Sequence, residues 1–367
     1  MSSGYLNTLL TKLLKGYLPG KEALGFLLSL TAANDIRQLF NAARIARKRH
    51  FGNKVFLYGF LYFSTYCRNN CRFCQYRRSN KGLLRYRKTM TQILTAAEKM
   101  ADDGVHLIDL TMGEDPWIYD SGFKPLIRLV RDIRSTTGLP VMVSPGLATE
   151  QVIDNLAAAE TEWFACYQET YNRRLFATLR KGQDFDERIA RKKRAKNQGM
   201  LIEEGILTGI KETLDDLTES IINMRDLPAD QVRVMTFVPR PDTPMAREVS
   251  QDSLQECRII AVMRLIMPDR LIPASLDVDG LQGLRARLDA GANVVTSIVP
   301  PENGLTGVAN RSLDIEESRR SADHVQKILT SCSLKTADPE DYQAWIYDRI
   351  HDRLHLSDIP YKKRQAC

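Results

Sequence analysis

The segment Val55-Phe-Leu-Tyr-Gly-Phe-Leu-Tyr-Phe63 decides the fold class, because the hydrophobic period changes there from helical to extended. Residues 1–50 precede it and carry apolar side chains at helical spacing, which predicts helices. From Val55 onward extended segments alternate with amphipathic ones, a pattern typical of a parallel sheet with crossover helices. The predicted strands are Val55–Phe63, Leu107–Thr111, Val141–Val143, Glu162–Gln168, Leu201–Thr208, Val232–Val238, Ile272–Asp277 and Val294–Val299.

Eight strand–helix units predict an α/β fold of the TIM type, a (β/α)₈ barrel or a partly open relative of one. A doubly wound sheet is the alternative architecture. We divide the chain into an N-terminal helical extension (1–50), the barrel (51–318) and a C-terminal helical tail (319–367). The tail contains a predicted turn at Asp338-Pro339 between two helices.

The composition is that of a globular protein: of 367 residues, 43% are hydrophobic and 26% are charged. No apolar run reaches the roughly 18 residues of a membrane span, and the first thirty residues lack the order of a secretory signal. We therefore expect a soluble, cytoplasmic protein with no membrane partner. Lys and Arg outnumber Asp and Glu by 52 to 45, but the densest basic run, residues 191–196, fits a solvated helix face. We expect no nucleic-acid partner.

Three of the seven cysteines, Cys67, Cys71 and Cys74, lie within eight residues directly after the first predicted strand. Soft thiolate ligands at this spacing suit zinc or an iron–sulfur cluster. A structural zinc site normally has four protein ligands, and the closest histidines, His50 and His106, lie outside the loop. Three ligands on a [4Fe–4S] cluster leave one iron open for a small molecule. The four scattered cysteines are expected to bind no metal: Cys166, Cys257, Cys332 and Cys367.

The pattern Cys-x3-Cys-x-Phe-Cys after a first barrel strand resembles the signature of the radical S-adenosylmethionine (SAM) enzymes. The resemblance implies one [4Fe–4S] cluster whose open iron binds SAM, and an electron donor such as a flavodoxin or ferredoxin. Reductive cleavage of SAM then gives a 5′-deoxyadenosyl radical that abstracts hydrogen from a substrate.

Further motifs are similar to those of biotin synthase and the hydrogenase-maturation enzymes within this superfamily. Residues 111–116 resemble the Gly-Glu motif that contacts SAM, and Gln168-Glu169-Thr170 with Arg188 resembles a SAM-holding pair. Arg180 is a weaker candidate, because a position on a helix surface is equally consistent with its sequence context. The implied SAM contacts are Gly113, Glu114, Ser144, Glu169, Arg180 and Arg188.

The whole chain is most similar to one family in this group, the methylornithine synthases. These radical SAM lysine mutases (isomerases) carry out the first step of pyrrolysine biosynthesis. The resemblance implies conversion of L-lysine to 3-methylornithine by hydrogen abstraction, fragmentation at the Cα–Cβ bond and re-addition of the glycyl fragment. The segment Gly205–Thr213 departs from the Gly-Leu-Pro-Gly form of the relatives and weakens the comparison at that strand.

Strand alternation predicts charged side chains inside the barrel. Asp109 and Thr111 share one face of their strand, Ser275 and Asp277 share another, and Arg233 lies on one of two possible faces. Unpaired buried ions lose several kcal/mol of hydration, so these residues form either an internal ion-pair network or a pocket for a zwitterionic amino acid. Our candidate lysine contacts are Arg233, Ser275 and Asp277, with Asp109, Thr296 and Ser297 as second choices. We assign no certain catalytic side chain, because SAM supplies the radical.

Two other functions remain open from the sequence. A biotin-synthase-like or hydrogenase-maturation-like lyase or sulfur transferase is the first. Biotin synthase carries a second cluster with additional cysteine ligands on its strands, and Cys166 is the only counterpart, on a face predicted to point at the helices. A non-catalytic iron–sulfur or nucleic-acid-binding module is the second, suggested only by the sequence pI near 9.0.

Overall fold

A computed structural model describes residues 3–249, 251–299 and 320–357. Three helices precede the barrel, α1 (Ser3–Leu13), α2 (Lys21–Leu28) and α3 (Ala33–Phe51), and they confirm the helical character of the N-terminal extension. Their apolar faces join the main hydrophobic core through side chains such as Leu24, Leu27 and Leu39. No helix within the described ranges has the length and hydropathy needed to cross a membrane.

Eight parallel strands form the barrel, and each lies within two to three residues of a predicted strand or inside it. Their order is β6-β5-β4-β3-β2-β1-β8-β7. A parallel bridge between Gln231 and Leu271 connects the two ends of this order, so the barrel is nearly closed. The doubly wound alternative is wrong, because the strand order has no reversal point. The strands are β1 (Lys54–Ser64), β2 (Leu107–Met112), β3 (Val141–Ser144), β4 (Trp163–Ala165), β5 (Leu201–Thr208), β6 (Gln231–Thr236), β7 (Pro273–Ser275) and β8 (Val294–Ile298).

The crossover helices begin at residues that the sequence marks clearly. Thr89 and Thr213 each form a capping box with the residue three positions later, and Asp115 caps a short helix with Pro116 at its first position. The helices are α4 (Met90–Asp102), α5 (Pro116–Asp120), α6 (Lys124–Thr137), α7 (Glu150–Ala157), α8 (Arg173–Leu179), α9 (Phe185–Asn197), α10 (Leu214–Asp226), α11 (Leu254–Ile266) and α12 (Leu284–Asp289).

The C-terminal tail closes the amino-terminal end of the barrel. It consists of α13 (Ala322–Ser331), a short strand β9 (Lys335–Thr336) and α14 (Pro339–Ser357), and β9, which the sequence pattern missed, pairs with the start of β1. The Tyr342 hydroxyl lies 2.7 Å from that of Tyr58 inside the barrel. Trp345 stacks on Trp163 with ring centroids 5.9 Å apart. The predicted boundary at 318/319 and Cys367 fall outside the described residues.

Candidate active site

The loop after β1 carries the three clustered cysteines and is fixed by backbone hydrogen bonds. The Arg78 N–H donates to the Asn69 carbonyl at 2.7 Å, which closes the loop on itself. The Arg68 N–H donates to the Glu114 carbonyl at 2.8 Å, which attaches the loop to the end of β2. The Arg85 guanidinium fills the centre of the loop and donates to the carbonyls of Thr65, Tyr76, Arg77 and Asn80. The loop is therefore held in shape by its own backbone.

Cys67, Cys71 and Cys74 line one cavity of about 150 Å³ at the carboxyl end of the barrel. Among the described residues, no three His, Cys, Asp or Glu side chains are arranged to hold a single metal ion. Three cysteines that line one cavity can each bind a different iron of a four-iron cluster. Burial raises the pKa of Cys67 to about 11 and also raises the pKa of Cys74. Iron binding must therefore displace protons from these thiols.

Two side-chain N–H donors lie close to the Cys71 sulfur. The Gln183 amide lies 3.0 Å from the Cys71 sulfur, and Nη1 of Arg180 lies 3.7 Å from it. Hydrogen bonds to the sulfur ligands are one of the ways in which a protein tunes an iron–sulfur centre. The surroundings of Cys71 thus meet the requirements of a cluster ligand.

The end of β2 lies directly against the cysteine loop. A Cβ atom at Gly113 would collide with the Tyr66 carbonyl and lie 2.9 Å from the Cys67 Cβ, so this close approach requires glycine. Burial alone would raise the pKa of the neighbouring Glu114, but Arg188, the Leu147 N–H and Arg68 together lower it. Glu114 therefore presents a carboxylate at the cavity wall, which suits an ammonium group of a ligand.

Glu169 and two arginines form the opposite wall of this cavity. Glu169 follows β4 with a φ of 67°, and its Oε1 accepts from Nη2 of Arg180 at 2.5 Å. Arg180 is buried, so the surface position considered for it is wrong. Arg188, on α9, donates to the Tyr167 carbonyl at 2.7 Å and lies 3.8 Å from Glu114. All six predicted SAM residues line this cavity: Gly113, Glu114, Ser144, Glu169, Arg180 and Arg188.

The position of Cys166 differs from the one that the sequence predicts. We expected it to face the helices, but it is buried and lines the same cavity as the three loop cysteines. β4 ends at Ala165, so the alternation on which the expectation depended stops one residue before Cys166. Strand alternation predicts side-chain direction only while the strand continues.

A second cavity of about 140 Å³ lies deeper in the barrel and adjoins the first. Phe60, Tyr62, Arg233 and Asp277 contribute to its wall. The two cavities share the lining residues Phe73, Thr111, Ser144, Tyr167 and Glu169. Ligands in the two cavities would therefore be in direct contact.

Arg233 faces this second cavity, which decides between the two faces left open by the sequence. Its Nε donates to Glu203 Oε1 at 2.7 Å and its Nη1 to Thr296 at 3.2 Å. Its Nη2 is buried and has no hydrogen-bond partner in the described structure. Glu203, which the sequence analysis missed, also accepts from Gln231 at 2.7 Å and from the Tyr167 hydroxyl at 2.6 Å. Leu201, Glu203 and Gly205 lie two residues apart on one face of β5, and this spacing was the signal that could have placed Glu203 inside the barrel.

Asp277 lies across the cavity at the end of β7 and accepts several hydrogen bonds. The donors are the Tyr62 hydroxyl at 2.9 Å, Ser297 at 3.0 Å and Nη1 of Arg320 at 2.8 Å. Ser275 accepts from the Asp277 N–H at 3.3 Å. Tyr62 was missed because it lies in a run of apolar and aromatic residues near the end of β1. Arg320 was missed because it comes from a distant segment of the chain.

Asp109 lies behind the shared wall of the two cavities. Its Oδ1 accepts from Thr111 at 3.0 Å and from Ser144 at 3.3 Å, and its buried Oδ2 has no partner in the described structure. Burial and the charge of Glu203 raise the pKa of Asp109 to about 7, against the opposing effect of Arg233. This carboxyl group is poised to change its charge when a cation binds.

Three other predicted substrate residues, like Asp109, line neither cavity and instead contact residues that do. Thr296 contacts Arg233, while Ser275 and Ser297 contact Asp277 or its N–H. Adjacent Thr296 and Ser297 both reach the interior because Ser297 has a φ of 66° and the pairing of β8 with β1 shifts there. These three residues therefore do not line the second cavity but contact Arg233 or Asp277, which do.

The nearly closed parallel barrel and the cysteine loop at its carboxyl end define a radical SAM enzyme. Residues 61–222 match the radical SAM superfamily, whose members bind a [4Fe–4S] cluster and SAM as cofactors. The chain is 42% identical over 333 residues to 3-methylornithine synthase of Methanosarcina barkeri, covering 91% of this chain and 95% of that protein.

The 3-methylornithine synthase of Methanosarcina acetivorans is 41% identical over 332 residues, covering 90% of this chain and 94% of that protein. A crystal structure of methylornithine synthase superposes with a TM-score of 0.88 at 42% identity, covering 92% of this chain and 99% of that one. This chain belongs to the 3-methylornithine synthase family.

Proposed function

We propose that this protein is a lysine mutase that converts L-lysine to 3-methylornithine, the first step of pyrrolysine biosynthesis. The observation that carries the proposal is a buried Arg233 with an unsatisfied Nη2 at a cavity that Asp277 also lines. A buried guanidinium with a free N–H group is suited to a carboxylate ligand. The names of the homologues, which match over nearly the full chain, support the same reaction.

In this proposal Cys67, Cys71 and Cys74 bind the cluster, and the walls of the first cavity bind SAM. Glu114 accepts from the SAM amino group, while Glu169, held by Arg180, accepts from hydroxyl or amino groups of the adenosyl part. When bound, the cluster and SAM supply a 5′-deoxyadenosyl radical that removes a hydrogen atom from the substrate. The shared wall, from Thr111 to Glu169, supports direct contact between SAM and the substrate.

Lysine has one carboxylate and two ammonium groups. The second cavity offers groups of opposite charge, a guanidinium and carboxylates, for these to bind. Nη2 of Arg233 binds the carboxylate, and Asp277 binds an ammonium group. Asp109 compensates for the second positive charge from behind the wall. Because Arg233 is already fixed by Glu203 and Thr296, it holds the carboxylate-bearing fragment in place when the carbon skeleton separates. Such fixed geometry favours recombination over escape.

The barrel also protects the radicals from water. Tyr342, Trp163 and Trp345 close the amino-terminal end, and Phe60, Tyr62 and Phe237 contribute apolar surface to the cavity. Exclusion of solvent prevents quenching of reactive intermediates.

Sulfur insertion by a second cluster is the alternative reaction, and the cavity argues against it. No cysteine lines the second cavity within the described part of the chain. Cys166 lines the first cavity but has no cysteine neighbour besides the three cluster ligands. We therefore favour the isomerase.

The test is whether lysine stimulates SAM cleavage by the reconstituted enzyme under anaerobic conditions. We expect L-lysine to stimulate it, while cadaverine, which lacks the carboxylate, and norleucine, which lacks the terminal amine, do not. Equal stimulation by cadaverine would contradict the role of Arg233, and equal stimulation by norleucine would contradict the role of the acidic residues.

The electron needed for SAM cleavage comes, in this proposal, from a flavodoxin or ferredoxin. The thiols described for Cys67, Cys71, Cys74, Cys166, Cys257 and Cys332 are all free, which supports a reducing, cytoplasmic compartment.

A further inference from the structure

Two adjacent acidic residues on β5 face opposite sides of the sheet, and both are buried. Glu203 faces the interior of the barrel, where it holds Arg233. Glu204 faces the helices, because successive side chains of a strand point in opposite directions, and it forms an ion pair with Lys192 on α9. Neither Lys192 nor Glu204 is among the described residues that line the two cavities. Any effect of this pair on catalysis must therefore pass through other residues.

The pair is shielded from solvent, since the side chains of Lys192 and Glu204 are both 0% exposed. Loss of hydration lowers the pKa of Lys192, against the opposing effect of Glu204. Two apolar residues of similar volume often stabilise a fold as well as a buried ion pair does, or better. A contribution to stability alone therefore does not account for charges at this position.

Glu204 accepts hydrogen bonds from the chain on both sides of Glu169. Its Oε1 accepts from the backbone N–H groups of Gln168 and Gly205, both at 2.8 Å. Its Oε2 accepts from the Tyr171 hydroxyl at 2.9 Å. Gln168 comes directly before Glu169, and Tyr171 follows two residues after it. One carboxylate thus holds the segment that carries a predicted SAM contact.

Glu169 depends on such support, because its φ of 67° lies in the left-handed region that residues with a side chain seldom adopt. A backbone in this region persists only where the surrounding contacts impose it. The Glu169 N–H donates to the Gly205 carbonyl at 3.0 Å, and the Glu169 carbonyl accepts from the Leu207 N–H at 2.9 Å. These bonds attach the residue to β5, and Glu204, on the same strand, fixes the residue before it.

Lys192 attaches α9 to the same segment. The Gln168 side chain donates to the Phe185 carbonyl at 3.1 Å and accepts from the Lys192 ammonium at 3.0 Å. Arg188 lies between these two points of attachment, one helical turn before Lys192 and on the same buried face. The position of Arg188 relative to Glu169 is therefore set by contacts that Lys192 completes.

We propose that this buried ion pair positions Glu169 and Arg188 for SAM binding. The inference rests on the proposed function, because it takes those two residues as SAM contacts. Lys192 and Glu204 are positioning residues: they contact the backbone and side chain of Gln168, not the ligand. Without the pair, α9 and the segment after β4 can shift independently, and a shift of about 1 Å at such groups is enough to weaken their action strongly.

The experiment compares two buried ion pairs that support opposite ends of β5. The test variant, Lys192→Met/Glu204→Gln, removes both charges and keeps an oxygen that can accept the same backbone N–H groups. The control is Arg349→Met/Asp230→Asn. Asp230 is also fully buried, and it accepts from the Ile202 N–H and from Nε of Arg349, each at 2.9 Å, at the amino-terminal end of the strand. Both variants keep the net charge of the protein.

SAM affinity is measured by anaerobic calorimetry on the cluster-loaded protein, with iron content and the Tm of the cluster-free protein from the same preparations. We expect the test variant to bind SAM about tenfold more weakly, the lower end of the range seen when residues that orient metal ligands are removed. The control should stay within about twofold of the original protein, because distant sites are nearly independent. Iron content should be unchanged in both.

A second comparison separates positioning from general stability. In a Glu169→Gln background, Lys192→Met/Glu204→Gln should reduce SAM affinity by a smaller factor than in the original protein, because changes that act through one residue are not additive. Tyr171→Phe removes one hydrogen bond of Glu204 and no charge, so it tests the proposal even if the double variant does not fold. SAM should bind this variant about threefold more weakly, and unchanged affinity would contradict the proposal.

Unchanged SAM affinity in the test variant, with a loss in Glu169→Gln, would overturn the positioning role while leaving the SAM contacts intact. Equal weakening in the test and control variants, or fully additive losses in the Glu169→Gln background, would show a general structural role and overturn it as well. Full SAM affinity in both Glu169→Gln and Arg188→Met would instead contradict the proposed SAM contacts.

Discussion

The ion pair between Arg233 and Glu203 allows the binding role of the arginine to be separated from its structural role. Arg233→Met removes the guanidinium but leaves Glu203 fully buried with only Gln231 and Tyr167 as donors. Removing one partner of a buried pair costs about 3–5 kcal/mol. At about 2.1 cal/mol/K of unfolding entropy per residue, this cost corresponds to a decrease in Tm of about 4–6 °C for a chain of 367 residues.

Arg233→Met/Glu203→Gln removes both charges and keeps a group that can pair with Tyr167 and Gln231. Because no charge is left without its partner, we expect the double variant to regain most of the lost Tm. Lysine binding should not return, since the carboxylate has lost its guanidinium. Truncating such a contact costs about 2–5 kcal/mol, or about 30-fold to several thousand-fold in Kd.

The assay pairs thermal unfolding of the cluster-free protein with anaerobic calorimetric titration of lysine into the cluster- and SAM-loaded enzyme. Recovery of Tm without recovery of lysine affinity is the expected result. If the double variant binds lysine as tightly as the original protein, Arg233 is a structural residue and the substrate assignment is wrong. If it remains as unstable as Arg233→Met, the argument from the unpaired charge is refuted.

Three further predictions concern neighbouring groups. Since the pKa of Asp109 is raised to about 7 in the native state, this carboxyl group keeps a proton there that it loses near pH 4 in the unfolded state. The contribution of Asp109 to the free energy of unfolding is therefore largest below pH 4 and decreases as the pH rises to 7. The Tm advantage of Asp109→Asn over the ligand-free protein should therefore grow between pH 5 and 7.5 and then level off; an advantage that does not change with pH would contradict this. Cys71→Ala should lose most of the reconstituted iron, while Cys166→Ala, from the same cavity, should keep it. Loss of iron in Cys166→Ala with retention in Cys71→Ala would mean that Cys166, and not Cys71, is the cluster ligand. Glu169→Gln should weaken SAM binding about tenfold or more with unchanged iron content, and full SAM affinity would exclude Glu169 as a ligand.

The sequence predicts the barrel well because the period of its apolar residues is a local property. Val55–Phe63 and Leu201–Thr208 read as buried strands from their composition alone, and the structure confirms both. The cysteine loop is equally local, since its three thiols lie within eight residues. β9 escaped notice because a two-residue strand has no period to detect.

The contacts inside the barrel were less accessible. Alternation could not choose a face for β6, and the direction of Arg233 became clear only from its contacts with β5 and β8. Thr296 and Ser297 both turn inward because of a local left-handed conformation that the sequence does not announce. Arg320 reaches Asp277 from 43 residues away in the chain. Such long-range contacts depend on how the strands close into a barrel, which the period of the sequence does not specify.

The most direct test of the lysine mutase is the fate of the lysine carbon skeleton. The reconstituted enzyme is incubated anaerobically with SAM, a chemical reductant and lysine labelled uniformly with ¹³C and ¹⁵N, and the product is examined by mass spectrometry and NMR. We predict a branched amino acid with the mass of the labelled lysine and every labelled atom retained, which is 3-methylornithine. A sulfur-containing product, or labelled fragments smaller than lysine with no branched product, would contradict it.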